Sequence, residues 1–137
     1  MASIFELEKP VFGRSNQSLT VVAASDADTE LTAAQSVNSL VVMTPGAARD
    51  VDTASAAAIV AELGDGVRVG TSFSLIIRNE AAATHAITLV GGSGVTLATD
   101  NTNTVAAANT RQFIGRVTAI ASGSQAVTIY SLPAGTH

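Results

Sequence analysis

Three short stretches hold residues whose types and spacing could do chemistry. In SDADTE, residues 25–30, Asp26, Asp28 and Glu30 stand at alternate positions. Such carboxylates could offer oxygens to a hard cation, but a calcium site takes roughly six to eight of them, and an EF-hand also needs a Gly and a distant Glu in register. Those partners are missing, so a solvated turn is the expected reading and a weak cation site the alternative. In GGSG, residues 91–94, the glycines invite a phosphate-loop reading. That mechanism needs a helix N-terminus directly after the glycines, with its amides aimed at the anion. VTLATDN follows instead, which reads as strand and turn, so the glycines are expected to make a tight hairpin turn.

The third group is the titratable side chains. His85 and His137 are the two histidines, too few for a zinc enzyme with His-based ligation, and no nucleophile elbow is present for a serine triad. His85 is expected to start a strand as a hydrogen-bonded sheet histidine. Glu62 and Asp65 flank a helix end, but adjacency in sequence does not make a glycosidase pair. Asn101 heads an Asn-x-Thr sequon, which matters only in a secreted eukaryotic product. A carbohydrate platform is disfavoured, since Tyr130 is the one Tyr and Trp is absent. The expectation is a protein that is not an enzyme and uses no cofactor or metal.

The elements that position these residues read as mainly β. Between Gly70 and Leu132 lie four apolar runs rich in β-branched residues: Phe73 to Ile77, Ala86 to Val90, Phe113 to Ile120 and Ala126 to Leu132. Asn, Gly, Ser and Asp separate them. Short strands at this spacing predict a small antiparallel, jelly-roll-like β-sandwich; an open barrel is the runner-up. Phe73, Leu75 and Ile77 alternate with polar residues, and Ile76 breaks the alternation as a two-sided central strand would. Leu19 to Ala23 and Ser39 to Thr44 read as earlier strands, with a short return strand at Arg49 to Thr53. One helix is expected at about residues 54–63. Thr53 or Ser55 caps it, Gly64 stops it, and Ile59, Val60 and Leu63 face the sheet from an open end of the sandwich. SGS, residues 122–124, closes a hairpin into AVTIYSL.

Residues 1–35 are expected to form an N-terminal arm, with the β-sandwich domain at 36–137. Pro10 forbids a continuous helix through SIFELEKPVFG. Disordered tails are usually depleted in aromatics, so docking on a neighbouring subunit or partner is the favoured reading, with Ile4, Phe5, Leu7, Val11 and Phe12 as the candidate contacts; a disordered terminus is the alternative.

Composition narrows the class further. The 137 residues are 47% hydrophobic, yet only 4% aromatic and 13% charged. A core of Ala and Val buries little area per side chain, and a surface so poor in charge suits contact with other protein. The net charge of −4 argues against a nucleic-acid or anionic-membrane binder. Cys is absent, which removes disulfides and thiolate chemistry. No signal-peptide pattern opens the chain and no apolar run approaches the ~20 residues of a membrane span. A soluble product of cytoplasmic synthesis is expected.

Residues 53–132 resemble a β domain of tailed-phage virion proteins. The resemblance lies in the order of Gly70 to Asn79 (a GDSF-x-I-x-N-like strand), Ala86 to Gly94 (a TITL-x-x-G-x-G-like hairpin), Thr104 to Thr110 (T-V-A-A-x-T) and Ser122 to Tyr130 (SGS-x-AVTIY), preceded by a similar helix. The resemblance implies a structural virion protein: a capsid decoration (cement) protein on the outer shell, often a homotrimer, whose partners are the major capsid protein and itself. The alternative is the receptor- or glycan-binding tip of a head or tail fibre, which predicts an exposed polar patch on the loops Gly91 to Gly94 and Asp100 to Thr104. The family offers no catalytic residues, and the N-terminal arm departs from its pattern.

Overall fold

The computed structural model describes residues 18–137. The chain winds between two sheets in successive coils. The first coil runs through β1 (Thr20–Ala23), a corner, β2 (Thr29–Glu30) and α1 (Ala33–Ser36). The second repeats the path as β3 (Ser39–Met43), β4 (Arg49–Asp52) and α2 (Ala56–Leu63). The third begins with β5 (Ser72–Asn79) and β6 (Ile87–Val90). Equivalent strands stack in parallel: Val21 lies beside Leu40 and Leu40 beside Ile76 in one sheet, and Thr29 beside Val51 and Val51 beside Leu89 in the other.

After β6 the path changes. β7 (Val95–Leu97) leaves the second sheet, and β8 (Thr104–Val105) returns antiparallel to β6. β9 (Asn109–Ala119) runs antiparallel to β5, and a turn at Gly123 folds β10 (Ala126–Ser131) back along β9. β7 then pairs in parallel with β10 at the sheet edge, and β11 (Gly135–Thr136) pairs with the start of β9. The larger sheet has the order β1-β3-β5-β9-β10-β7, the smaller β2-β4-β6-β8.

The architecture is mainly β, in two sheets packed sandwich-like over one core, as the composition and turn spacing predict. The strand directions correct the antiparallel expectation: β1, β3 and β5 are parallel, as are β2, β4 and β6. The reason is that the segments at residues 24–28, 44–48 and 80–86 are corners between sheets and not hairpins within one. Asp, Ser, Pro and Gly in the first two serve both purposes, the third (EAAATHA) holds none of them, and no two-residue hairpin signal fixes which. The segment expected as arm up to residue 35 is likewise part of the body from Thr20 onward, since β1 and β2 are members of the two sheets.

Strand alternation sets the core. β3 buries Ser39, Val41 and Met43, β5 buries Phe73, Leu75, Ile77 and Asn79, and β9 buries Phe113, Gly115 and Val117. The smaller sheet supplies Val51, Ile87, Leu89 and Val105 from the other side. α2 follows its expected signals: Ser55 Oγ accepts from Ala58 N, Gly64 ends the helix at φ +89°, and Ile59 and Val60 are buried. The helix packs against α1 and β10. The short α1 carries a capping box, in which Thr32 Oγ1 accepts from Gln35 N and Gln35 Oε1 accepts from Thr32 N.

Candidate functional site: the outer face of the larger sheet

Polar side chains that look chemical in the sequence tie one coil to the next. Asp26 Oδ1 accepts from Gly46 N (2.9 Å) and from Arg49 Nε (2.8 Å), and Asp28 Oδ1 accepts from Asp50 N (2.9 Å). Further round the coil, the buried Ser36 Oγ accepts from Ala54 N and the buried Thr53 Oγ1 from Gly92 N, each at 2.9 Å. Asn38 Oδ1 accepts from Ser74 N in the same sense. In each pair a side chain of one coil receives an amide of the next. Such bonds satisfy backbone donors that corners and coil ends leave outside the strand ladders.

This arrangement decides the carboxylate cluster. Asp26 turns to Arg49, whose hydrogen bond, ahead of that from Gly46, holds its carboxyl below the ordinary range. Asp28 and Glu30 instead lie on the side of Asp50 and Asp52. Burial, and then the charges of Asp50, Glu30 and Asp28, push the Asp52 carboxyl upward. Among the described residues no group of His, Cys, Asp or Glu is arranged to hold a metal ion.

The glycine turn is also structural. Ser93 O accepts from Ala56 N at the start of α2, Gly92 packs against the carbonyls of Thr53 and Ala54, and strand β7 follows. The loops at 91–94 and 100–104 adjoin opposite ends of the three-residue strand β7. Within the second loop Asn101 bonds Ile129 O and Ser131 N, and Asn103 Oδ1 is buried without a partner among the described residues. His85 lies in the corner before β6, not in the strand, and it is its backbone carbonyl that accepts a bond from Asn79 Nδ2. His137 Nε2 is 3.5 Å from Glu80 Oε2, beside the Arg78–Glu80 pair. The hydrogen bond from Arg78, the largest cause, holds the Glu80 carboxyl low.

A surface feature remains. Strand registers place Val21, Leu40 and Ile76 in one row on the outer face of the larger sheet, and Ile114 and Tyr130 side by side in the next. Val42 lies beside Ala23 in a third row. Val21 is 62% and Tyr130 46% exposed, whereas the inward neighbours Val41, Leu75, Ile77 and Ile129 are fully buried. Arg78 and Arg116 flank the stripe, and Gln112 Nε2 donates to Ser74 Oγ within it. Parallel strands normally have both faces covered, which is why their sequences are apolar on both sides. Here the runs LVVM and LII keep that two-sided character while their outer side chains stay partly in solvent.

No known protein family, curated protein or solved structure matches this chain. The arm candidates Ile4, Phe5, Leu7, Val11 and Phe12 lie outside the described residues. The stripe is a surface feature that the sequence reading does not single out, although Ile76 and the unbroken run from Leu40 to Val42 are its signal. Among the described residues no helix is long and apolar enough to cross a membrane.

Proposed function

We propose that the protein is a structural component of a tailed-phage virion, a capsid decoration protein that binds the outer shell as a trimer and stabilises the head. The virion class comes from the resemblance of residues 53–132. The observation that carries the mechanical role is the apolar stripe from Val21 to Tyr130 on a body poor in charge. A face of this kind holds other protein by burying area and asks nothing of reactive groups.

The size of the stripe says how it works. Strands lie about 4.8 Å apart and rise about 3.3 Å per residue, so five strands and the two main rows, two residues apart, cover about 300 Å². A stable interface buries about 800 Å² on each partner. The stripe supplies less than half, and leader residues Ile4, Phe5 and Leu7 extend the contact to the major capsid protein or a neighbouring subunit. Trimers at three-fold positions of the shell suit this, because symmetric sites favour symmetric binders.

Densitometry of purified particles tests the assignment. Copies comparable in number to the capsid subunits fit decoration; a few copies per particle indicate a fibre tip, and absence from the particle removes the proposal.

A further inference from the structure

At the point where the described chain begins, a cleft of about 370 Å³ opens between the start of β1, α1 and the end of α2. Ser18 and Thr20 form one wall, and Ala34, Val37 and Leu63 supply apolar surface opposite. Beside it β1 is the terminal strand of the larger sheet, so one of its edges has no neighbour among the described residues. Val21, at 62% exposure, lies on this strand, and Leu19, at 54%, just before it. A coiled architecture of this type needs a cap at its open end, because an unpaired edge invites pairing with other chains.

We propose that Val11 and Phe12 of the same chain fill this cleft and cap the coil. They are the first large apolar residues upstream of Ser18, since Gly13, Arg14, Ser15, Asn16 and Gln17 intervene. That spacer reaches about 20 Å when extended, enough to bring Phe12 back over the cleft. The volume fits: a cavity of about 150 Å³ holds a benzene ring, so the cleft takes a Phe ring with room for a Val beside it. The charges fit as well, because Glu62 stands at the cleft wall and Arg14 lies in the spacer. A second copy's leader would compete at a disadvantage, since a short tether presents the chain's own leader at an effective concentration of about millimolar. Pro10 separates the capping pair from Ile4, Phe5 and Leu7, which remain for outside contacts. This inference does not rest on the virion assignment.

The chain has no Cys, so an engineered pair reports cleanly. Phe12→Cys combined with Ala34→Cys in the full-length protein, under mild oxidation at micromolar concentration, should give an intramolecular disulfide: one monomer band on a non-reducing gel and no free thiol. Disulfide-linked multimers would overturn the proposal by placing a neighbour's leader in the cleft, and persistent free thiols would overturn it by leaving the cleft without the leader. As a second readout, Phe12→Ser should lower Tm by about 5 °C and Phe12→Leu by much less. Equal Tm values for parent and Phe12→Ser would also contradict it.

Discussion

The ring of Phe73 on β5 lies against Gly115, its register partner on β9, so closely that a Cβ at residue 115 would come within 2.1 Å of the ring's Cζ. Gly115 is fully inside the sheet contact and has no positive φ, so its role is space and not backbone freedom. Gly115→Ala should therefore destabilise the protein by about 1–3 kcal/mol through overpacking. Chemical denaturation measures it, and Phe73→Leu in the same chain should recover part of the loss.

Asn79 is a second buried determinant. Its Nδ2 donates to His85 O and Val105 O, at 2.8 and 2.9 Å, and its Oδ1 accepts from Ala81 N. It thereby joins the larger sheet to the corner and to β8 of the smaller one. Asn79→Leu would leave those backbone groups unsatisfied, for a loss of about 2–4 kcal/mol in urea unfolding. A change within about 0.5 kcal/mol would contradict the role.

Two carboxylates predict opposite pH behaviour. Asp52 is raised by burial and by its acidic neighbours, so the folded state holds this proton more tightly and stability falls as pH rises through the shifted value. Asp52→Asn should raise Tm at pH 7, and the gain should vanish below about pH 4. Asp26 is lowered by Arg49 and Gly46, so its contribution is present above the ordinary carboxylate pKa and lost as pH falls through the depressed value. Asp26→Asn should lower Tm at pH 7 and leave it unchanged in strong acid. Thermal melts across pH 2–8 check both signs.

Backbone strain gives a stabilising prediction. Ala108 holds φ +57°, a left-handed conformation that costs a side-chain-bearing residue about 1 kcal/mol. Ala108→Gly should raise stability by about 0.5–1 kcal/mol, net of the unfolded-state entropy that Gly adds, and a Tm decrease would count against it.

Much of the fold is legible in the sequence because local signals are strong. Ser55 and Gly64 bound the helix, SGS closes the β9–β10 hairpin, and Phe113, Gly115 and Val117 alternate as strand residues must. Strand direction is not legible, because the corners at 24–28 and 44–48 share their chemistry with hairpin turns, the one at 80–86 carries no turn signature, and the distinction lies in where the next strand lands. The coil spacing was available in principle: Thr20 and Ser39, or Asp26 and Gly46, are about one turn of the path apart, but the second coil is lengthened by α2 and the loop after it, which hides the repeat. Thr32 and Gln35 were a readable capping box for α1. Asn79 was not readable as a buried residue, and the stripe showed only as the two-sided runs at Leu40 to Val42 and at Ile76, since burial of a polar residue and exposure of apolar ones follow from tertiary placement.

The central claim is that the outer stripe and the leader hold the protein on a shell, and Ile76 against Ile77 isolates it. Ile77 is fully buried and should cost about 3–5 kcal/mol as Ile77→Ser, whereas the outward Ile76→Ser should cost under about 1 kcal/mol. The decisive measurement is co-sedimentation of the purified protein with expanded tailed-phage shells that lack it. Saturable binding at a fixed ratio to the capsid protein, weakened at least tenfold by the folded Ile76→Ser variant, a loss of about 1.4 kcal/mol, is the predicted result. A stable monomer that stays in the supernatant with every shell would contradict the account.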